Sequence, residues 1–522
     1  MRVFFLLLFS FFYAYVSAQP IFHRTYAGFL TLYGNGEAGI QTSDGGYIIT
    51  GSINNFPNPD VTNVTLIKTN LSGDTVWVKN YDGSNSNAEI GLDVKETSDN
   101  GYIITGWTQS FGAGGLDVLL MKVDSAGNCL WAKAFGTSAS NEVGNCVEQT
   151  IDGGYIIASG FPHEYGTGTT VDKATLIKVD SLGALTWTKT FTGISSATGN
   201  SVVQTSDGGF AMVGTAITAT GQDVLLIKTD SLGNTLWTKS IDDGENETGY
   251  SLAKTLDNGF IISGEAAAGS SYSDVYLLKV DSLGNSIWSR KYGSPTRDEG
   301  VSVFVASDGG FVVAGTYNIN GAGGNDVYLL KTDASGNILW ERTFGSTNSD
   351  RGRSVIETSD GGYMVVGFLS GGNTYSYFIK TNSIGNSAGC LQSTPVSAFS
   401  FESPISSSIT LTVSSPFLSN NGVMYTTYKG NRYIQCYSSG TVNVEEEKND
   451  PEIILYPNPT SDILNIKCSE NINSYSINDI LGRKLLNGFG NVVNLQKIQS
   501  GIYLLSVIFE NGNCKFLTFI KE

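Results

Sequence analysis

Charge is what this chain has least of. Only 15% of its 522 residues are charged, against roughly a quarter in an average soluble protein. Basic residues are the scarcer kind: 31 Lys and Arg stand against 48 Asp and Glu, a net charge of −17. Such a chain repels phosphate backbones and anionic lipid surfaces, so nucleic acid is not an expected partner. Two histidines, His23 and His163, and no Cys-x-x-Cys leave little from which to build a zinc centre. After the first residues no run approaches the ~20 apolar residues of a membrane-spanning helix. His-Glu-x-x-His and a phosphate loop are also missing, so no residue is assigned a catalytic role and no metal or cofactor is expected.

Glycine, by contrast, is abundant at 63 residues, and it is placed regularly. An Asp-Gly or Asp-Asn-Gly core recurs at Asp44, Asp99, Asp152, Asp207, Asp257, Asp308 and Asp360, at spacings of 55, 53, 55, 50, 51 and 52 residues. A period of this size signals a propeller or solenoid array. In the fourth copy, Ser201 to Thr205 reads as a strand, Ser206-Asp207-Gly208-Gly209 as a hairpin turn, and Phe210 to Gly214 as a second strand. Asp223 to Thr229 is a third strand, and Leu236-Trp237-Thr238-Lys239 a fourth. Four antiparallel strands in about 52 residues make one propeller blade.

Trp77, Trp131, Trp187, Trp237, Trp288 and Trp340 share one place in the fourth strand, as a ring wedged between neighbouring blades would. The seventh copy has no fourth strand of its own. Ile21-Phe22-His23-Arg24-Thr25-Tyr26 resembles the missing one, with Phe22 for tryptophan, so the amino-terminal strand is expected to close the ring. The fold class is therefore all-β: a seven-bladed β-propeller closed by an N-terminal strand, plus a small C-terminal β-sandwich. Lysines end the third strands (Lys68 to Lys380) and basic residues mark the fourth (Arg24 to Arg342). They read as a guard against edge-to-edge pairing rather than as a binding ring.

Turns after strands one and three are near-identical between copies, whereas the connections after strands two and four vary. One face of the ring is thus scaffold and the other is free to carry specificity. Aromatic residues on the variable face include Trp107, Tyr165, Tyr272 and Tyr317. A carboxylate stands ten residues before the turn aspartate in five copies, at Glu89, Glu142, Glu247, Asp298 and Asp350, with Glu37 its counterpart in a shortened first copy and Ala197 the exception. Two readings stay open. The acids ring the channel mouth and hold a ligand or a cation such as Ca2+, or each accepts backbone N–H bonds where the chain turns.

The turn Asp230-Ser231-Leu232-Gly233-Asn234 before Trp237 resembles the Asp-box of sialidase-type propellers, with glycine displaced by one residue. That resemblance implies a structural turn and not sialidase chemistry.

Residues 1–18 have the basic start, apolar centre and small-x-small end of a secretory signal peptide. Six cysteines in an exported chain invite disulfides, and sequence neighbours suggest Cys129 with Cys146, Cys390 with Cys436, and Cys468 with Cys514. Periodicity spans residues 19–386. Residues 387–450 are rich in Ser, Thr and Pro and end in a charged run, as in a partly ordered linker. The last segment, 451–522, carries Tyr456-Pro457-Asn458-Pro459, then Leu481-Gly482-Arg483, then Ser500-Gly501-Ile502-Tyr503. In that order these motifs resemble the type A carboxy-terminal sorting domain of the type IX secretion system of Bacteroidetes. The resemblance implies a partner in the secretion machinery and a secreted or outer-membrane-surface location. The expected function is a non-enzymatic binding or scaffold module for an extracellular glycan or protein. The alternative is a polysaccharide-active hydrolase or lyase using acids at the channel mouth.

Overall fold

The computed structural model describes residues 20–26, 34–54, 62–83, 87–138, 140–160, 173–193, 195–219, 221–267, 272–318, 324–345, 348–370 and 374–387, seven short strands between 392 and 433, and 454–456, 462–467, 471–478, 484–496, 498–509 and 514–521. The signal-peptide expectation lies outside them. Residues 1–440 and 441–522 form two separate compact units.

The first unit is a seven-bladed propeller. Its fourth blade consists of Ser196–Gln204, Phe210–Ile217, Gln222–Thr229 and Thr235–Asp242, each antiparallel to the next. In the seventh blade Phe22–Tyr26 supplies the fourth strand, with Phe22 opposite Lys380 as Trp237 is opposite Lys228. The ring therefore closes through hydrogen bonds between the start and the end of the repeat array.

Each wedge ring packs on the following blade. Trp131 lies 6.1 Å from Tyr155, Trp187 5.8 Å from Phe210, and Phe22 6.2 Å from Tyr47 at the closure. Beneath each ring lies the turn glycine of that next blade: a Cβ on Gly183, Gly233 or Gly73 would strike Trp131, Trp187 or Phe22. Arg24, Arg290 and Arg342 lie over the rings of Phe22, Trp288 and Trp340 at 5.0, 5.0 and 5.4 Å, so these fourth-strand cations also cover aromatic faces.

The third-strand lysines have a different role from the one expected. All seven are buried, and each pairs with the turn aspartate of its own blade at 2.7–3.0 Å. Lys228 Nζ also donates to the Thr229 carbonyl, while Asp207 accepts from Thr205 Oγ1 and Gly209 N. The pair ties the first turn to the end of strand three. Because Lys228 is buried and Asp207 is exposed, the two truncations differ. Asp207→Ala strands a buried ammonium and should cost about 1–2 kcal/mol, whereas Lys228→Met removes the charge with its burial cost and should cost less. Urea denaturation of both variants checks this; equal losses, or a greater loss for Lys228→Met, would contradict it.

The stretch expected to be a linker instead adds a fifth strand to every blade. Gln392–Ser393 pairs with the outer edge of blade six, Ala398–Glu402 with blade five, and Ile405–Ser408 with blade four. Thr412–Ser414, Leu418–Asn421 and Met424–Thr427 continue onto blades three, two and one. Arg432–Tyr433 ends the belt on the amino-terminal closing strand. The chain thus runs back around the ring in reverse blade order. Pairing, not charge alone, covers the exposed edges.

The expected bond between Cys129 and Cys146 is absent, since both thiols are free. Cys129 opens the outer strand of one blade, and Cys146 lies on the innermost strand of the next, lining the central cavity. The other two pairings involve Cys390, Cys436 and Cys468, which lie outside the described residues.

The second unit is a small sandwich. Ile454–Tyr456, Ile463–Lys467 and Val492–Asn494 form one sheet, and Lys484–Gly488, Ile472–Asn478, Gly501–Phe509 and Cys514–Lys521 the other. Leu464, Ile466, Ile477, Val493, Leu505 and Val507 fill its core.

Candidate functional site

The first strands of all seven blades enclose an axial cavity of about 1110 Å³. Its lining mixes aliphatic with polar side chains and is almost charge-balanced. Lys95, Lys254, Arg297, Arg351 and Arg353 face Glu37, Asp93, Glu148 and Glu265. A near-neutral cavity inside a chain of net charge −17 is not a cation funnel.

Tyr272 and Arg297 mark the rim on the variable face; the Tyr272 side chain is exposed, and Arg297 is 61% exposed. Arg297 reaches Glu265 at 3.4 Å and Glu299 at 3.6 Å, and Arg351 reaches Glu299 at 3.8 Å. These pairs are long, and although Glu265 and Glu299 are mostly buried, the Arg297 guanidinium is exposed and open to a further acid. Deeper in the cavity, Arg353 pairs with Glu37 at 3.4 Å, and Lys95 with Asp93 at 2.7 Å.

The acid ring expected at the channel mouth does not form. Glu37 alone of the six lines the cavity. Glu89, Glu142, Glu247, Asp298 and Asp350 are buried between blades. Glu89 accepts from Gly83 N and Thr108 Oγ1, Glu142 from Thr137 N and Oγ1, and Glu247 from Glu245 N. Asp298 accepts from Ser294 N and Asn318 N, and Asp350 from Ser370 N. The reason is strand alternation: Thr248 and Arg351 line the cavity, so Glu247 and Asp350, one residue earlier, point the other way. Burial pushes Asp298 up to about 6 and Glu247 up to about 7. Five of the six acids invoked for a hydrolase are therefore sealed inside the walls.

Of the three variable-face aromatics among the described residues, Tyr272 alone is placed at the rim. Trp107 is buried against Val143, and Tyr317 stacks on Tyr328 at 5.3 Å in the core. Both lie on second strands that reach further than the loops assigned to them. Tyr165 lies outside the described residues. Sequence reasoning missed Arg297, Arg351 and Glu265. Their one signal was departure from the repeat, as at Arg351, where the fourth and fifth blades carry Thr198 and Thr248.

The Asp-box-like turn is structural, as expected. Asp230 Oδ2 accepts from Asn234 Nδ2 at 2.9 Å, and Oδ1 from Asn234 N at 2.8 Å and Leu232 N at 2.9 Å; the side-chain bond first, then the backbone ones, hold its carboxyl below the usual range. Gly385-Asn386-Ser387-Ala388-Gly389 has the spelling of a hydrolase nucleophile turn. Ser387 Oγ, however, donates to the carbonyls of Lys380 and Phe22 at 2.8 and 3.2 Å, so its hydroxyl is engaged where the ring closes.

In the sandwich, Tyr456 ends the strand Ile454–Tyr456 opposite Asn465, Gly501 opens Gly501–Phe509, and the Tyr503 hydroxyl donates to the Gln499 carbonyl at 2.7 Å. Pro457, Asn458, Pro459, Gly482 and Arg483 lie outside the described residues. The sequence of this unit matches the family described as secretion system C-terminal sorting domain over residues 454–521. This chain carries a type IX sorting domain. With it the protein is a secreted propeller, directed to the cell surface or the extracellular space, and the sorting domain implies contact with the secretion machinery.

Elsewhere likeness is thin. The regulatory protein FlaEY of Caulobacter vibrioides is 30% identical over 102 residues, which is 17% of this chain and only 11% of that protein. Among solved structures, Sqt1 from Chaetomium thermophilum is 12% identical with a TM-score of 0.38, covering 66% of this chain and 82% of its own. The mannose phosphorylase MPT-4 from Leishmania mexicana is 10% identical with a TM-score of 0.26, covering 46% and 84%. Both scores fall below 0.5, so the seven-blade fold stands on this chain's own strand pairing. No helix among the described residues is long and apolar enough to cross a membrane.

Proposed function

We propose that the exported propeller is a non-enzymatic binding module, and that its ligand is an extracellular glycan bearing carboxylate or sulfate groups, held at the variable-face mouth of the axial cavity. The observation that carries this reading is the rim itself. An exposed tyrosine, Tyr272, stands beside the exposed Arg297, with Arg351 in the wall behind. A flat aromatic face packs against a sugar ring, while guanidinium groups form paired hydrogen bonds with acid groups. Hydroxyl and amide side chains such as Thr198, Asn200, Thr248 and Tyr250 line the wall below and suit a polyhydroxylated ligand.

A glycan array of acidic and neutral polysaccharides, followed by calorimetry on the strongest hit, tests the reading. Tyr272→Ala and Arg297→Ala should each weaken binding by roughly tenfold or more, about 1.4 kcal/mol, with the melting temperature unchanged. Binding that survives both substitutions, or that prefers neutral glycans, would defeat it.

A further inference from the structure

Where one blade meets the next, carboxylates converge on the end of the fourth strand. Glycine occupies that end in three blades. A Cβ on Gly136 would strike Asp117 Oδ1 and Glu142 Oε2, one on Gly293 would strike Asp274 and Asp298, and one on Gly345 would strike Asp326 and Asp350. The fourth blade differs by one residue. Asp242 stands in the glycine's place and adds a third carboxylate to Asp223 on the third strand and Glu247 on the first strand of blade five.

One oxygen from each of these three acids lies within 4.8 Å of the others. On each acid one oxygen is already engaged. Asp223 Oδ2 accepts from Ser240 Oγ at 2.6 Å, Asp242 Oδ1 from Gly244 N at 2.8 Å, and Glu247 Oε1 from Glu245 N at 3.0 Å. Asp223 Oδ1 and Glu247 Oε2 are left buried without a donor, on residues only 3% and 0% exposed. Buried carboxylate oxygens without a donor are costly, and three acids at this distance repel each other unless positive charge joins them. At the preceding junction the chain avoids the problem, placing Lys173 and Ala197 where blade four and its neighbour have Asp223 and Glu247.

We propose that Asp223, Asp242 and Glu247 bind a divalent cation of the calcium class. The donor set is all carboxylate oxygen, with neither imidazole nor thiolate, which selects a hard cation. The three ligands come from three strands of two blades, so the ion would pin blade four to blade five. Asp242 is only part-buried and leaves the site an approach from solvent. Burial, with the charges of Asp243 and Asp242 adding to it, pushes Glu247 up to about 7, so a shared proton is the competing occupant.

The test uses the full-length protein, stripped with a chelator and titrated with calcium chloride, and separately with magnesium chloride, at pH 7.5 by calorimetry and thermal unfolding. The expected result is about one equivalent of calcium with a dissociation constant in the millimolar range or tighter, as in extracellular modules, and a melting temperature that rises with calcium. Asp242→Gly installs the residue three other blades carry, so the fold should tolerate it. It should abolish the calcium response, weaken binding at least ~10-fold, and melt higher than the stripped wild type because the repulsion is relieved. Glu247→Gln should weaken binding to a similar extent. No calcium binding up to ~10 mM, or binding retained in both variants, would overturn the proposal and leave the proton as the occupant.

Discussion

Ending the chain before Pro451 should abolish its appearance outside the cell while leaving the propeller folded. The sorting domain is a separate compact unit with its own apolar core, and the last belt strand, Arg432–Tyr433, is complete before the cut. The truncation therefore removes an export signal without exposing a blade edge. Immunoblots of cell, surface and medium fractions should show the shortened protein retained inside, with none in the other two. The melting temperature of the purified truncated chain should match that of the propeller within the full protein. Export of the shortened chain would show that the signal lies elsewhere, and loss of folding would show that the two units are not independent.

The second large effect is expected at a glycine that no turn explains. Gly264 lies in the second strand of blade five, where a Cβ would come within 1.7 Å of the Thr248 carbonyl oxygen. The contact is backbone on backbone, beside the bulge between Gly249 and Ser251, so no side chain can move aside. Gly264→Ala should cost about 3 kcal/mol or more. Gly208, the turn glycine of blade four, gives the opposite expectation. It has φ of +80°, but nothing lies within 4 Å of a Cβ there. Its counterparts Asn100 and Asn258 hold φ of 61° and 63°, and asparagine tolerates this region. Gly208→Asn should therefore stay within about 0.5 kcal/mol of wild type. Urea denaturation of the two variants decides the matter; a mild Gly264→Ala or a severe Gly208→Asn would reverse the assignment.

Those two positions show how far local reasoning reached. The Asp-Gly core pointed correctly to hairpin turns, yet in Asp99-Asn100-Gly101 the residue with positive φ is Asn100. Gly101 is needed because a Cβ would meet the Val123 carbonyl at 2.4 Å, and that contact comes from strand three. The closing strand was legible because Phe22 repeats the tryptophan's position. The belt was not legible. Its strands are two to five residues long and attach through backbone hydrogen bonds, which need no side-chain period.

The candidate site divides the same way. The sequence located the variable face and Tyr272 but pointed its acids into the channel. Alternation along the first strand turned Glu247 and Asp350 into the walls and brought Arg351 to the cavity, while Arg297 reaches it from just ahead of the strand Glu299–Val305.

The number of blades, their strand order, their closure and the export address were determined by the sequence alone. Each depends on turn stereochemistry, period-two patterning or a recurring motif, and these act over a few neighbouring residues. The ring decided which acids meet, which aromatics stay exposed and what covers the outer edges. Those outcomes depend on groups brought together from different blades, as Asp223, Asp242 and Glu247 are, and no single repeat contains them.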